Sequence, residues 1–234
     1  MMKLGATTRN ADPKLMAWDG DWWGLRVGQA THLDGISEWA AENTVGLIYL
    51  LVDTVAEAQA AEERGFRLMD CRLTLDRPTA VCGSGARLAK AEDLAPVKEI
   101  ARTAFQGLTR FYNDPRLDEG RCDELYGEWA RSQCAGGAEI VLVCDRDEKV
   151  AGFVSVNRSS EEEASISLIA VHAEMKGRGV GADLVSSAVN WARGQGSKRM
   201  TVVTQGGNVS AQRLFQRAGF RTSRVQYWMH RWYQ

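Results

Sequence analysis

Ser165-Ile-Ser-Leu-Ile-Ala-Val171, Lys176-Gly-Arg-Gly-Val-Gly181, Arg199-Met-Thr-Val-Val-Thr204 and Asn208-Val-Ser-Ala-Gln-Arg-Leu-Phe-Gln-Arg-Ala-Gly-Phe220 stand in that order along the chain. The first and third are apolar runs rich in β-formers and predict strands. The glycine run between them opens a helix expected from Val180 to Ala192. Val180, Leu184, Ala188 and Ala192 recur there at steps of four, with Val185 and Val189 beside them, which makes one helix face core. Glycines at a helix N-terminus let backbone N–H groups converge on an anion, and the helix dipole adds to the attraction. Lys176 to Gly181 is therefore a candidate phosphate cradle. A plain strand-to-helix turn has a similar composition. The Asn208–Phe220 segment, one helix and one strand later, is what separates the two readings.

Upstream of the loop, three strands are expected at 139–144, 150–157 and 164–171. The short polar turns Asp145-Arg-Asp-Glu148 and Ser159-Ser-Glu-Glu-Glu163 separate them, which predicts an antiparallel meander. A dinucleotide-binding glycine fingerprint would instead follow the first strand of a parallel βαβ unit, so that class is disfavoured. Helices are expected over 92–105 and 118–134.

Nearer the N-terminus come a buried strand at 44–52, a helix over 54–64, Gly65-Phe66 and an alternating strand at 67–75. The chain closes with the same order: strand 200–204, helix 210–217, Gly219-Phe220 and strand 222–232. The likeness suggests an internal repeat. Two ordinary helix ends, each closed by a left-handed glycine, would look alike too. Pro78 to Gly85 reads as a linker. The organisation expected is a partial copy over 1–77, a linker over 78–85 and a second domain over 86–234.

The 234 residues include 44% hydrophobic and 25% charged, an ordinary soluble composition, and the formal net charge of -1 calls for neither nucleic acid nor an anionic membrane. No apolar run approaches a membrane span, and the N-terminal residues lack a signal-peptide stretch. Five cysteines without a Cys-x-x-Cys pair and three scattered histidines (His32, His172, His230) argue against a disulfide framework and a metal site. A reducing, cytoplasmic location is expected. Among eight tryptophans, Trp39, Trp129 and Trp191 read as core on helices. Trp228 and Trp232, on the last strand, are candidates for a homodimer contact.

With its loop and its Asn208–Phe220 segment the chain resembles the GCN5-related N-acetyltransferases (GNAT), which move an acetyl group from acetyl-CoA to an amine. Their diphosphate loop, (Gln/Arg)-x-x-Gly-x-(Gly/Ala), is matched by Lys176-Gly-Arg-Gly-Val-Gly181 with Lys in the leading place. Their next motif, Asn-x-x-Ala-x-x-Leu-Tyr-x-x-x-Gly-Phe, is matched by Asn208, Ala211, Leu214, Gly219 and Phe220. The resemblance implies a mixed α/β fold whose mostly antiparallel sheet has splayed central strands, preceded by a smaller, partial GNAT-like domain. It implies that Ile169, Ala170 and Val171 pair with the pantetheine arm. The amides of Lys176, Gly177, Arg178, Gly179, Val180 and Gly181 would bind pyrophosphate, Asn208 would hydrogen-bond near the acyl end, and Ala182, Ala211 and Phe215 would belong to the same cofactor site. No metal is implied.

A likeness over nearly the whole chain also extends to members that acylate amino sugars carried on a nucleotide. It rests on Trp18-Asp-Gly-Asp-Trp-Trp-Gly24, Thr109-Arg-Phe-Tyr-Asn-Asp-Pro-Arg-Leu117 followed by Asp123–Trp129, Thr204–Asn208 and Tyr227-Trp228. It implies a small nucleotide-sugar partner of the dTDP-4-amino-4,6-dideoxyhexose type. Arg110 and Arg116 would meet phosphate, and Trp22, Trp23, Phe111 or Tyr112 would stack on a base; interdomain packing explains the same aromatics equally well. Another small amine or a protein amine as acceptor, and a non-catalytic acyl-CoA-binding module, are the alternatives.

One departure from the family stands out. Phe215 occupies the place where family members carry the Tyr that protonates the departing thiolate. A thiol with a pKa of about 8.5 leaves tolerably well without help. A positioned acid adds about 10²–10⁴-fold, and holding amine and thioester together supplies much of the rest. Tyr227 is the candidate substitute donor, against a reading as a packed strand tyrosine; His230 ranks behind it. No residue stands out as base: His172 and Glu161 to Glu163 read as surface turns.

Overall fold

The computed structural model describes residues 12–233; residues 1–11, which include the N-terminal stretch without a signal-peptide pattern, lie outside the described residues. In chain order the elements are β1 (Lys14–Leu15), α1 (Ala17–Trp23), β2 (Val27–Ala30), α2 (Ile36–Glu42), β3 (Leu47–Val52), α3 (Val55–Glu63) and β4 (Arg67–Pro78). Then follow β5 (Arg87–Leu88), α4 (Leu94–Ala104), α5 (Glu119–Ser132), β6 (Ile140–Arg146), β7 (Lys149–Arg158) and β8 (Glu163–Val171). The chain ends with α6 (Val180–Gly194), β9 (Arg199–Gln205), α7 (Val209–Arg217) and β10 (Arg221–Trp232). The strands make one sheet in the order β1-β2-β3-β10-β4-β9-β8-β7-β6-β5. The β2–β3 and β8–β9 ladders are parallel and the others antiparallel.

The expected meander is β6–β7–β8. Its first turn places Asp147 and Glu148 at φ 51° and 59°, the two left-handed residues of a hairpin turn whose twist suits the flanking strands. Strand alternation divides the core by sheet face. On one face Ile166, Met200, Val202 and Leu75 pack under Leu184, Val185 and Ala188 of α6 and Phe215 of α7. On the other, Tyr49, Phe153, Leu168 and Ala170 pack under Val97 and Ile100 of α4 and Leu125 and Tyr126 of α5. Gly152 on β7 lets α6 come close, because a Cβ there would stand 2.7 Å from the Ala170 carbonyl oxygen and 3.1 Å from Val180 and Leu184.

The two similar segments share one local plan. Thr54 caps α3 by accepting from Glu57 N at 3.1 Å, and Asn208 caps α7 by accepting from Ala211 N at 3.0 Å. Gly65 and Gly219 sit at φ +82° and +85°, and behind them Phe66 N donates to Ala61 O and Phe220 N to Phe215 O, each at 3.0 Å. Each residue of the first segment lies 154 positions before its counterpart, a spacing spanned by one hydrogen bond, from Arg72 Nη1 to Gln226 Oε1. The segments exchange their last strands: β10 lies between β3 and β4, and β4 lies between β10 and β9. Exchanging β3 with β9 and β4 with β10 turns the order β3-β10-β4-β9 into the same order read from the other end.

Of the linker expected over 78–85, Pro78 ends β4; residues 79–86 have no regular structure and are tied to α6. Cys82 N donates to Asn190 Oδ1 at 2.8 Å, and Gly85 N and Ala86 N donate to Ser187 Oγ at 3.2 Å. The strand just before them, β4, is interleaved with the C-terminal strands, so residues 67–78 and 199–232 share one ladder system. The sequence pattern left β1, α1, β2 and β5 unassigned. The Trp-rich stretch is helix α1, whose seven residues, about two turns, hold Trp18, Trp22 and Trp23 against the α4/α5 side of the core.

Candidate active site

β8 and β9 pair over Glu163–Ile166 and Arg199–Val202 and then part. The divergence starts at a bulge in β8: Ser155 faces Leu168 while Val156 faces Ile166, so Ser167 is skipped. The Leu168 N–H freed there donates to Ser155 Oγ at 3.1 Å. Beyond the bulge, the backbone of Ile169, Ala170 and Val171 holds β7 on one side and faces an open wedge on the other. The predicted splay is thus built by one extra residue.

At the mouth of the wedge lies the glycine loop. Gly177 and Gly179 are at φ +80° and +81° with no atom within 4 Å of where a Cβ would stand, and Gly179 is the N-cap of the 15-residue α6. Lys176, Arg178 and Ala182 are exposed, whereas Val180 is buried as the first core residue of the helix. Gly181 lies under α7, with Leu214 at 3.1 Å from where its Cβ would be. Asp183, in the first turn of α6, is neutralised by Arg146. The result is a run of backbone N–H groups at a positive helix end, flanked by two cations, Lys176 and Arg178. A long ligand with a pyrophosphate and an amide-bearing arm fits this cradle and the free β8 edge.

The other expected cofactor residues, Asn208, Ala211 and Phe215, belong to α7 and its N-cap. Asn208 spends its side-chain oxygen on capping the helix, and Ala211 packs partly buried on the α6 side of the core. Phe215 is 1% exposed and packs on Phe220 with ring centroids 5.6 Å apart. It is a core residue on the α6 side of the sheet.

Tyr227 and Trp228 divide between the two faces of the sheet. Tyr227 pairs with Cys71 and Val52 and packs half-buried beside Val52 and Met229, on the α3 side. Cys71 lies against Gly206, just past the end of β9, where a Cβ would come within 2.9 Å of the Cys71 Cβ. Trp228 faces the α4/α5 side, where Arg110 stacks on it at 4.0 Å.

Arg110 is also stacked at 4.4 Å over Tyr49 and 4.5 Å over Phe111. Phe111 is 2% exposed and lies between Trp23 and Trp129 at centroid distances of 5.9 Å. Trp22 stacks on Trp18 at 5.5 Å and meets Trp23 edge-on. The structure therefore brings Trp22, Trp23, Arg110 and Phe111 together, but as a packed cluster. Phe111 shows no open ring face for a base, and the Arg110 guanidinium is held by three rings. Trp232, expected at a dimer contact with Trp228, is engaged within the chain: its Nε1 donates to Asp114 at 2.9 Å and Arg116 lies over its ring at 4.6 Å.

Two carboxylates that sequence reasoning passed over adjoin this cluster. Asp19 on α1 is 1% exposed with both oxygens unpartnered; burial pushes its pKa up and the Arg110 charge opposes the rise. Asp70 on β4 is half-buried, and burial pushes it up to about 6 against the pull of Arg110. The signal for Asp70 was an acid in the middle of an alternating strand, Leu68-Met-Asp-Cys-Arg-Leu73. His172 caps a 3-10 turn over Ala173–Met175, consistent with its expected turn role.

A splayed parallel pair of strands, a glycine cradle at a helix N-terminus and a meander before it together define an acyl-CoA-binding fold. The profile of the Acetyltransferase (GNAT) family matches residues 98–220, and the chain belongs to that family. It is an acyl-CoA-dependent N-acetyltransferase, and the family uses acetyl-CoA as co-substrate. The chain is 27% identical over 185 residues, 78% of its length and 79% of the relative's, to dTDP-fucosamine acetyltransferase of Escherichia coli O6:H1. It is 29% identical over 140 residues to a spore coat polysaccharide biosynthesis protein of Bacillus subtilis, covering 60% of this chain and 48% of that one. Among solved structures, a GCN5-related N-acetyltransferase from Sphaerobacter thermophilus superposes with a TM-score of 0.61 at 12% identity, covering 94% of this chain and 76% of that one.

Proposed function

We propose that the chain transfers the acetyl group of acetyl-CoA to the amine of a nucleotide-linked amino-deoxy sugar of the dTDP-4-amino-4,6-dideoxyhexose type, in the supply of surface polysaccharide. The observation that carries this reading is the likeness to dTDP-fucosamine acetyltransferase, which extends over 78% of the chain and so beyond the part matched by the family profile. The likeness to a polysaccharide biosynthesis protein supports the same substrate class.

In this reading acetyl-CoA supplies an activated carbonyl and a thiolate leaving group. Backbone groups of Ile169 to Val171 hold its amide arm by strand addition, and the N–H groups and cations of Lys176 to Ala182 hold its pyrophosphate. Tyr227 is the proposed proton donor to the departing sulfur, in place of the hydroxyl that Phe215 lacks. The acceptor enters from the α4/α5 side, and a soluble cytoplasmic enzyme is expected; no described helix is long and apolar enough to cross a membrane.

Release of free thiol from acetyl-CoA, measured with dTDP- and UDP-linked amino sugars beside free amines, tests the reading. Preference for a 4-amino-4,6-dideoxy sugar nucleotide is expected. Faster turnover of simple amines than of any sugar nucleotide would overturn it. Tyr227→Phe is expected to lower kcat about 10²-fold without weakening acetyl-CoA binding; an unchanged kcat removes Tyr227 from the reaction.

A further inference from the structure

β4 passes the end of β9 just where the wedge opens. Arg72 is the ladder partner of Gln205, the last residue of β9, and Gly206 N donates to Cys71 O at 2.6 Å. Asp70 is the next residue outward. Alternation along β4 puts Asp70 and Arg72 on the face that carries their β10 partners, Trp228 and Gln226, while Cys71 takes the opposite face against Gly206. Asp70 therefore stands on the α4/α5 side of the sheet, and the phosphate cradle of α6 stands on the other. An amine that meets a thioester held in the wedge, approaching opposite the α6 side, passes the Asp70 wall.

From this placement we infer that Asp70 is the residue that takes the proton from the acceptor nitrogen during acyl transfer. The inference rests on the acyltransferase activity of the family and not on the identity of the acceptor. The neutral amine attacks the thioester carbonyl and forms the C–N bond, leaving its nitrogen positively charged. The N–H proton passes to a carboxylate oxygen of Asp70. The C–S bond then breaks, its electron pair goes to sulfur, and the thiolate leaves and is protonated from Tyr227 or water. Asp70 returns its proton to solvent through its exposed side.

The surroundings suit the task. The charged and titratable groups around Asp70 are Arg110 from the loop after α4, Tyr126 from α5, and Arg72 and the neighbouring Cys71 thiol from its own strand; β10 and β9 contribute the uncharged Trp228 and Gln205. Arg110 is fixed by three aromatic rings, so it stabilises the anion without closing on it as an ion pair. Burial, opposed by the Cys71 backbone N–H and then by Arg110, pushes Asp70 up to about 6, close to the pH at which a base must be free and still take a proton.

The test uses the full chain and whichever amine it acetylates fastest, so that failure of the sugar reading leaves this one decidable. Wild-type kcat/KM is expected to rise with pH through a limb at about 6. Asp70→Asn should abolish that limb and lower kcat/KM about 10²-fold or more, with acetyl-CoA affinity unchanged. Asp70→Glu should restore part of the rate together with an acid limb. Independently of turnover, carboxyl ¹³C titration of labelled protein should show one aspartate at about 6 that disappears in Asp70→Asn. An Asp70 signal in the ordinary aspartate range, an acid limb that survives in Asp70→Asn, or parallel loss of acetyl-CoA binding would each overturn the inference. If Asp70→Asn fails to fold, the wild-type titration and the Asp70→Glu profile decide it.

Discussion

His230 Nδ1 and Asp114 Oδ2 lie 2.7 Å apart with both side chains withdrawn from water. Asp114 also accepts from Trp232 Nε1 at 2.9 Å and from Arg116 N at 3.1 Å, so one carboxylate ties the loop after α4 to β10. Burial lowers the His230 pKa to about 4, and the hydrogen bonds hold Asp114 below the usual range. The pair is a neutral imidazole beside a carboxylate at neutral pH.

For His230 the folded pKa lies below the unfolded value of about 6.5, so its contribution is complete above pH 6.5 and is lost as pH falls toward 4. Asp70 and Asp19, with raised values, act in the opposite sense as the pH falls. The expected signature is therefore a difference: between pH 7.5 and 4.5 the urea-unfolding stability of His230→Gln should fall less than that of the wild type. Equal falls would show that His230 is not held neutral.

Gly179 adopts φ +81° at the N-cap of α6, a conformation that costs other residues about 1–2 kcal/mol. Gly179→Ala meets no neighbour, so its effect is conformational. CoA affinity by calorimetry is expected to drop about fivefold or more, with the fold retained. Undiminished affinity would remove this loop from the CoA site.

Thr54 and Asn208 cap counterpart helices with nearly equal geometry. Thr54→Ala and Asn208→Ala should each cost about 1 kcal/mol of stability. The Asn208 variant alone is expected to raise KM for acetyl-CoA as well. Equal kinetics for the two variants would confine Asn208 to its capping role.

Phe215→Tyr restores the residue type found at this place in the family but puts a hydroxyl into a core where Phe215 is 1% exposed. A buried hydroxyl without a partner costs about 1–3 kcal/mol. A lower melting temperature and no gain in kcat are expected. A gain in kcat would mean that the ring edge reaches the thioester.

Much of this was legible in the chain itself. The meander, the glycine cradle, the amphipathic α6 and the Asn208–Phe220 unit follow from periodicity and turn chemistry, which are local. The wedge followed from the family resemblance, and its cause, the bulge at Ser167, has no local signal. Arg110 and Phe111 were singled out as ligand-facing, yet their rings and guanidinium pack on one another, because which face of a loop turns inward depends on α1 and β10, far away in sequence. Asp70 escaped notice for the same reason: its neighbours Arg110 and Tyr126 arrive from other elements. The 154-residue repeat could be suspected from Gly-Phe pairs, but the exchange of final strands is a long-range choice that no local pattern encodes.

The interleaving of β4 has a consequence for the time course of synthesis. Ribosomes complete β4 by residue 78, whereas both strands that flank it come from residues 199–232. At about 5–20 residues per second, the strand waits on the order of ten seconds with both edges unsatisfied. Its native neighbours exist only after residues 199–232 have been made, so the sheet cannot close from the N-terminus onward. The nascent chain must stay open, or be kept open by a chaperone, until β10 is released.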